Sequence, residues 1–351
     1  MRTRAPRFGR ASLLSLLIGL PLSAIFFWLA FRSADLDEVW SVLTAANPGF
    51  VGLAIGALAG VYTGQTVRWS MIARTRDVRT RRFGEMVISG VAVNNVLPGR
   101  IGDLLRARWL QVAARIPAGR SLATVFVDRA FDVFALVTFL SISLWFVSSA
   151  EWLLGLAVGG LVLLVALGSV LLAARSYASR RARERRAHRS FLRRIARDAL
   201  EGLADAPRGL RAVALAGVSL GTWGLWALAA WFVAHAIGIG LSPVEVIFAT
   251  AVINLGVAIP SSPGFIGTYQ WLGVSALALF DIGTEQALAF AILMQAVWYV
   301  PTTIFGGLLL LSRALTSDRT SKRHTPAKEG AACSHKRSSR QTAADEGTHH
   351  P

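Results

Sequence analysis

Residues 83–114, FGEMVISGVAVNNVLPGRIGDLLRARWLQVAA, begin like a membrane span but are broken in the middle. The first half, Met86–Leu97, is apolar, and Pro98 and Gly99 then interrupt it before four charged residues follow. Neither half reaches the roughly 20 residues that cross the hydrocarbon core at about 1.5 Å per residue. The stretch therefore predicts a hairpin that enters the membrane and returns to the same face.

The chain around this hairpin has the composition of a membrane protein. Of its 351 residues, 54% are hydrophobic and only 16% are charged, and the mean hydropathy is +0.50. A soluble domain of this size needs a more polar surface. The apolar runs are Leu13–Phe31, Phe50–Val67, Leu122–Val147, Trp152–Ala174, Ala212–Ile237 and Gln286–Leu311. We predict an all-α, polytopic integral membrane bundle with about six full spans and two broken or re-entrant segments. The second of these, residues 245–280, forms either a hairpin or two thin full spans.

Basic residues predict the topology. The net charge is +17, and its basic residues lie in loops between apolar runs. This distribution follows the positive-inside rule and argues against a nucleic-acid partner. Residues 1–12, 68–84 and 175–211 are basic and are expected in the cytoplasm, whereas the acidic loop 32–47 is expected outside. Counting the crossings places both termini in the cytoplasm, and a hairpin at residues 83–114 is the simplest arrangement that keeps the later basic loops inside.

These features divide the chain into three parts. We expect a basic cytoplasmic N-terminus at residues 1–12, a transmembrane domain at 13–312 with an uncleaved first span, and a disordered polar tail at 313–351. Within the basic loop 175–211, apolar residues from Phe191 to Leu203 recur at helical spacing. This spacing indicates either an amphipathic helix on the membrane surface or a solvated helix that links two spans.

A short internal repeat connects the hairpin to a later segment. The two copies are PGRIG at residues 98–102 and PGFIG at residues 263–267, and asparagines precede each copy. Three predicted crossings separate the copies, so the two segments enter from opposite faces. Such inverted pairs of broken helices mark the midplane site of secondary transporters.

The residue types at these breaks are those expected where irregular backbone lies inside the hydrocarbon core. Proline removes an amide donor, and backbone groups left free in hydrocarbon each cost several kcal/mol unless they are satisfied. Asparagine side chains can satisfy them, so Asn94, Asn95 and Asn254 either cap the broken helices or contact a ligand. Gln270 and Gln295, near the second break, are further candidates for lining a cavity.

Charged residues follow the first break at helical spacing. Arg100, Asp103 and Arg106 lie near one face of a helix, and arginine is suited to bidentate contact with a phosphate. The set either binds the phosphate of a lipid or forms an interfacial salt-bridge group that fixes the hairpin. An intramembrane charge costs about 2.5–3.5 kcal/mol or more unless it is paired.

A second charged cluster begins the next long apolar run. Asp128 and Asp132 share a helical face, where like charges repel unless a cation lies between them. Arg129 or Arg100 is expected to supply that cation. We predict a buried network that holds the first hairpin against this span, with proton or cation coupling as the alternative role.

The candidate residues form two groups. The residues expected to contact a lipid headgroup are Asn94, Asn95, Pro98, Gly99, Arg100, Gly102, Asp103, Arg106, Asn254, Pro263, Gly264, Gly267 and Gln270. The structural charge network is Asp128, Arg129 and Asp132. No catalytic residue, metal site or cofactor is expected, because no spacing of His, Cys or carboxylates fits a metal and the single Cys333 lies in the tail.

These motifs resemble a known family. Residues 94–106, NNVLPGRIGDLLR, look like the N-x-x-L-P-x-R-x-G-E-x-x-R signature of the lysylphosphatidylglycerol synthase transmembrane family, also called the flippase-like domain family. Residues 128–132, DRAFD, resemble its E-R-x-x-D motif, and residues 260–267, PSSPGFIG, resemble its P-x-x-P-G-G-x-G motif. The departures are Asp for Glu at positions 103 and 128, Phe for Gly at 265, and Gln at 270 where many members have Glu.

The resemblance implies a lipid translocase or lipid-binding region. Well-known members of that family join this region to a soluble aminoacyl-transferase domain, and the polar residues after Leu311 are too few to form one. We therefore expect no lysyl transfer by this chain. The expected function is translocation or binding of a polar lipid, anionic or polyprenyl-linked, with its headgroup between the two broken helices. A glycosyltransferase or aminoacyl-transferase is the expected type of protein partner.

Two alternatives stay open. In the first, the protein is a membrane-embedded enzyme, or a subunit of one, that modifies lipids or glycolipids and uses Asp103, Asp128 or Asp132 as acid or base. In the second, it is a scaffold that recruits a partner through the basic loop 175–211.

Overall fold

A computed structural model describes residues 21, 23–97, 100–146, 191–257 and 262–323, with scattered helical residues between 158 and 176. Regular structure in these ranges is helical throughout, which confirms the all-α prediction. The helices are α1 (residues 23–31), α2 (Leu36–Thr44), α3 (Pro48–Ala73), α4 (Thr80–Val96), α5 (Ile101–Ala114), α6 (Ala118–Leu144), α7 (Phe191–Ala204), α8 (Leu210–Ala236), α9 (Pro243–Gly256), α10 (Thr268–Leu277) and α11 (Thr284–Arg323), with 3-10 turns at Pro263–Phe265 and Ala278–Phe280. Residues up to Gly306 form one compact unit and residues from Gly307 form another.

Three of the described helices are long and apolar enough to cross a membrane. They are α3, α8 and the Thr284–Leu315 part of α11. α3 has 26 residues, which gives about 39 Å of helix and exceeds the roughly 30 Å hydrocarbon core. α6 has 27 residues but also contains charged side chains. The polytopic helical class is thus confirmed, while the predicted span at 152–174 lies largely outside the described residues.

Capping residues determine where several helices begin. Asn47 accepts a hydrogen bond from the amide of Gly49 before α3, with Pro48 as the first helical residue. Ser242 and Glu245 form a reciprocal capping box at the start of α9, again with proline at the first position. Side-chain acceptors satisfy amides that have no partner within the helix, and proline has no such amide to satisfy.

The first broken segment forms the predicted hairpin. α4 and α5 pack against each other on either side of the break, and their backbones approach closely at Gly90 and Gly102. A Cβ atom at Gly102 would overlap the carbonyl oxygen of Gly90. Their 17 and 14 residues correspond to about 25 and 21 Å of helix, too short for either to cross alone.

The second broken segment has the same helix–break–helix form. α9 contains 14 residues and α10 contains 10, about 21 and 15 Å of helix, and the two helices contact each other. Such lengths favour a hairpin over two complete spans. The opposite orientation of the two hairpins in the membrane stays a prediction.

The helix in the basic loop packs against another helix of the protein. α7 packs along the first half of α6, where a Cβ at Gly119 would overlap the carbonyl oxygen of Ile195. Leu203 is buried in a cluster that includes Ala123 and Val127 of α6. α6 therefore covers the apolar face of this predicted amphipathic helix, which neither of the two sequence-based alternatives anticipated.

Two predicted boundaries are corrected. The second span does not end at Val67, because α3 continues to Ala73 and its side chain at Arg68 is fully buried. The last helix continues to Arg323, although disorder was predicted from residue 313. Adding residues to an existing helix is much easier than nucleating one, which explains how the polar residues from Ser312 to Arg323 are helical. Residues 324–351 and 1–20 lie outside the described residues.

Candidate functional site

A buried arginine of α3 organises the charge network. The Nε atom of Arg68 donates to Oδ1 of Asp128 at 2.8 Å, and one of its terminal nitrogens donates to Oδ1 of Asp132 at 2.7 Å. The other terminal nitrogen donates to the hydroxyl of Ser219 in α8 at 3.0 Å. The three nitrogens of one planar guanidinium thus link α3 to α6 and α8.

Two further arginines complete the network. Arg106 of α5 donates to Asp128 at 3.1 Å and lies 4.3 Å above the ring of Trp69, within the range of a cation–π contact. Arg129 donates to both oxygens of Asp103, at 2.8 and 3.2 Å, and to Asp132 at 3.0 Å. The charges of three arginines and three aspartates therefore balance. Because Arg106 and Asp103 of α5 bind Asp128 and Arg129 of α6, the network holds the first hairpin against α6.

Sequence reasoning found this cluster but missed its central cation. The prediction that Arg129 or Arg100 bridges Asp128 and Asp132 is wrong, because Arg68 contacts both carboxylates. Arg129 contacts Asp132 alone of these two. The missed signal is the apolar run that continues from Trp69 to Ala73, which places Arg68 inside a helix rather than in a loop.

Arg100 lies at the first break and differs from the arginines of the network. Its backbone is left-handed, with φ at 53°, and its side chain is exposed. One terminal nitrogen donates to the carbonyl oxygen of Val257 at 3.1 Å. Among the described residues it forms no ion pair with a carboxylate, so its positive charge is available at the break.

The two asparagines of the first break have structural partners. Asn94 accepts a hydrogen bond from the amide of Gly102 at 2.7 Å, so a side chain of α4 caps α5 across the break. Asn95 is buried and donates to the hydroxyls of Thr302 and Thr303 of α11 at 3.1 and 2.8 Å. Asn94 thus acts as a cap, as one of the two sequence-based alternatives holds, whereas Asn95 links α4 to α11.

A chain of amide groups holds the second break. Gln295 donates to the carbonyl oxygen of Gly264 at 2.6 Å, and Gln270 donates to Gln295. The Oε1 atom of Gln270 accepts from the amide of Gly267 at 2.7 Å, which caps α10. Gly264 and Gly267 have φ angles of 67° and 87°, in the region that glycine adopts without strain.

The two breaks meet. The hydroxyl of Tyr299 donates to the carbonyl oxygen of Asn95 at 3.2 Å, and a Cβ at Gly264 would lie 3.3 Å from that same oxygen. The contact of Arg100 with Val257 adds a second link, because Val257 is the residue at which α9 ends. The two repeats, far apart in sequence, thus come together around Asn95 and Arg100.

The remaining candidate residues form no contact between the two breaks that the structure describes. Asn254 donates to the carbonyl oxygen of Thr250 in its own helix at 2.8 Å, so it does not bridge the breaks. Pro263 begins the 3-10 turn of the second break, and Pro98 and Gly99 lie outside the described residues. The described part of the chain contains no cluster of three His, Cys, Asp or Glu arranged to hold a metal ion.

Comparison with known proteins gives a family and several distant relatives. The sequence profile described as the lysylphosphatidylglycerol synthase TM region matches residues 12–306. The chain is 27% identical to the glycosyltransferase AglD of Haloferax volcanii over 90% of this chain and 57% of AglD. It is also 24% identical to a UPF0104 membrane protein of Methanothermobacter thermautotrophicus, over 82% of this chain and 90% of that protein.

A UPF0104 membrane protein of Methanocaldococcus jannaschii is 22% identical over 62% of this chain and 92% of its own length. The chain therefore spans little more than half of AglD but nearly all of these two membrane proteins. The family profile covers both broken segments and every residue of the charge network. The chain belongs to the family of the lysylphosphatidylglycerol synthase transmembrane region.

Proposed function

We propose that the protein binds a polar lipid and moves it across the membrane, with the anionic headgroup held by Arg100 where the two broken segments meet. The observation that carries this proposal is that Arg100 is exposed and that, among the described residues, no carboxylate balances its charge. Arg100 is an exposed residue, it forms no ion pair with a carboxylate among the described residues, and it lies beside the buried, charge-balanced network. Arginine offers a fork of donors that matches a phosphate.

The position of Arg100 supports an anion rather than a neutral headgroup. The charges of Arg68, Arg106 and Arg129 are balanced by three aspartates, so Arg100 leaves a net charge of about +1 around the break. An unbalanced charge in a low-dielectric setting favours a counter-ion. A lipid phosphate is the anion that is present at high concentration at a membrane surface.

Removing this arginine is expected to reduce lipid movement. In liposomes that contain the purified protein, we expect Arg100→Ala to slow translocation of a fluorescent anionic lipid by at least about tenfold, because hydrogen bonds to charged groups contribute about 1.5–3 kcal/mol. Arg100→Lys should retain part of the rate. Arg108→Ala is the matched control, because Arg108 is an exposed arginine of α5 that donates to Gln111.

An equal rate for Arg100→Ala and the wild type, with both folded, would exclude Arg100 as the headgroup site. Chemical conversion of the lipid without relocation would instead support an enzymatic role. The similarity to AglD over 90% of this chain favours that second candidate, a membrane component of a glycosyltransferase system acting on a lipid-linked substrate. In either case we propose a lipid-modifying glycosyltransferase or aminoacyl-transferase as the protein partner.

We also propose that the protein lies in the cell membrane with both termini in the cytoplasm. The basic loops support this orientation, since cytoplasmic loops carry an excess of Arg and Lys. A reporter that fluoresces only in the cytoplasm, fused after residue 323, is expected to fluoresce. An alkaline phosphatase fusion at the same position, which is active only outside, should be inactive, and activity there would overturn the orientation.

A further inference from the structure

We infer that a groove between α8 and α9 holds one acyl chain of a membrane phospholipid, at a site separate from the two breaks. α8 and α9 contact each other, and a groove of about 320 Å³ lies between them at the protein surface. One side of the groove comes from α8 and the other from the start of α9. Its lining residues include Gly224, Leu228, Trp231, Pro243, Val246 and Ile247.

The depth of the groove places it among the acyl chains of one leaflet. α8 has 27 residues, about 40 Å of helix, and so extends about 5 Å beyond each side of a hydrocarbon core of roughly 30 Å. Trp231 and Gly224 precede Ala236, the last residue of α8, by five and twelve positions, which is about 8 and 18 Å. The groove therefore begins just inside the hydrocarbon and extends nearly to the bilayer midplane.

A second span ends at the same level as α8. The backbone amide of Asn47, the residue before α3, donates to the carbonyl oxygen of Ala236 at 2.8 Å. Two long apolar helices thus end side by side, as expected at a membrane boundary. Trp231 lies near this boundary, where tryptophan is common in membrane proteins.

The lining of the groove matches a hydrocarbon chain. Every lining residue that the structure describes is apolar or a glycine, so the groove suits the tail of a lipid rather than its headgroup. Apolar groups inside a membrane associate through close packing, since no water is displaced. An unfilled groove would forfeit the dispersion contacts of its lining atoms, and acyl chains are the apolar molecules that surround the protein at this depth.

Both sides of the groove are held in place. The ring of Trp231 lies 4.0 Å from the ring of His235 and 5.6 Å from that of Phe232, measured between centroids. Pro243, on the opposite side, is the first residue of α9, which a capping box fixes at that end. A preformed groove favours a bound chain, because little ordering of the protein is needed on binding.

The size and position of the groove exclude two other occupants. One turn of α-helix is about 10 Å across and 5.4 Å long, about 420 Å³ in volume, so a helix from a second copy does not fit in 320 Å³. The headgroup proposed to bind Arg100 is also remote. Ile247 precedes Val257, which contacts Arg100, by ten residues, or about 15 Å of helix.

Photolabelling of the full chain in liposomes tests this site. The probe is a phosphatidylcholine with a diazirine near the middle of one acyl chain, and labelled peptides are identified by mass spectrometry. Leu53 and Ile55 of α3 are the reference, because they are exposed apolar residues close to the same membrane boundary. We expect labels within residues 224–231 and 243–247 to exceed those on the reference by at least about fivefold, because many small dispersion contacts add up in a groove. The labelling should saturate as the fraction of probe rises.

Glycines of α8 provide matched variants. A Cβ at Gly224 or at Gly217 would meet nothing within 4 Å, so leucine fits at either position, but only Gly224 lines the groove. Gly224→Leu should reduce the labels to the level of the reference, and Gly217→Leu should leave them unchanged. Thermal unfolding of each variant shows whether a loss of labelling reflects a loss of fold.

Equal labelling of the groove and the reference, rising in proportion to the probe, would show general lipid contact alone and overturn the inference. Exclusion of the probe together with cross-links between two copies at Leu228 would identify a second copy as the occupant and overturn it as well. Arg100→Ala should leave the groove labels unchanged, because the site is separate from the breaks. The proposed headgroup site can therefore fail without the groove, and the groove without the headgroup site, whereas loss of the groove labels in Arg100→Ala would contradict two separate sites.

Discussion

Replacing Arg68 with leucine should leave little folded protein. The substitution removes the donors to Asp128 and Asp132, so two aspartates in the interior lose their main partner. Breaking a buried ion pair by removing one partner costs about 3–5 kcal/mol, because the remaining charge is uncompensated. That loss is a large part of the roughly 5–15 kcal/mol that stabilises a typical protein.

The measurement is thermal unfolding of the purified protein in detergent, together with the yield of monodisperse material. Arg81→Leu is the control, because the side chain of Arg81 is 92% exposed and its contact with Glu85 is long, at 3.7 Å. Replacing Asp132 alone with asparagine in the Arg68→Leu background should recover part of the stability, because the pairs Arg106–Asp128 and Arg129–Asp103 then balance. A melting temperature unchanged by Arg68→Leu alone would show that these charges are not buried together.

Gly102→Ala should separate the two helices of the first hairpin. The added methyl group would overlap the carbonyl oxygen of Gly90 and lie 2.7 Å from Oδ1 of Asn94. Asn94 accepts the amide hydrogen of Gly102, so the same change disturbs the cap of α5. Overpacking of this kind costs about 1–3 kcal/mol and occasionally more, to which the weakened hydrogen bond adds.

Gly217→Ala supplies the matched comparison. A Cβ at Gly217, in the long helix α8, would meet nothing within 4 Å, and alanine is favoured over glycine inside a helix by about 0.5–1 kcal/mol. We expect the free energy of unfolding to fall for Gly102→Ala and to stay equal or rise for Gly217→Ala. Equal behaviour of the two variants would contradict the close approach of α4 and α5.

The first hairpin and the break in the second segment could be predicted because their cause is local, whereas the sequence left open whether residues 245–280 form a hairpin or two full spans. Proline and glycine interrupt an apolar run, and the lengths on either side are too short to cross the membrane. Capping by Asn94 was one of two roles that the sequence left open, and its hydrogen bond from the amide of Gly102 shows the cap. The motifs around residues 98–102 and 263–267 further indicated the family, which the profile match confirms.

The partners of the charged residues could not be predicted, because they depend on helices that are distant in sequence. Arg68 precedes Asp128 by 60 positions, and nothing in either local pattern indicates the pairing. The contacts of Asn95 with Thr302 and Thr303 are equally remote. A charge near the end of an apolar run was interpreted as a loop residue, although a paired arginine inside the protein is compatible with the same pattern.

The most direct test of a headgroup site between the two breaks uses a phosphatidylglycerol analogue with a photoreactive group on its headgroup. After illumination in liposomes, the labelled peptides are identified by mass spectrometry. We expect labels on both segments, within residues 94–106 and 254–267, and loss of both in Arg100→Ala but not in Arg108→Ala. Labels confined to one segment, or unaffected by Arg100→Ala, would contradict a headgroup held where the two broken segments meet.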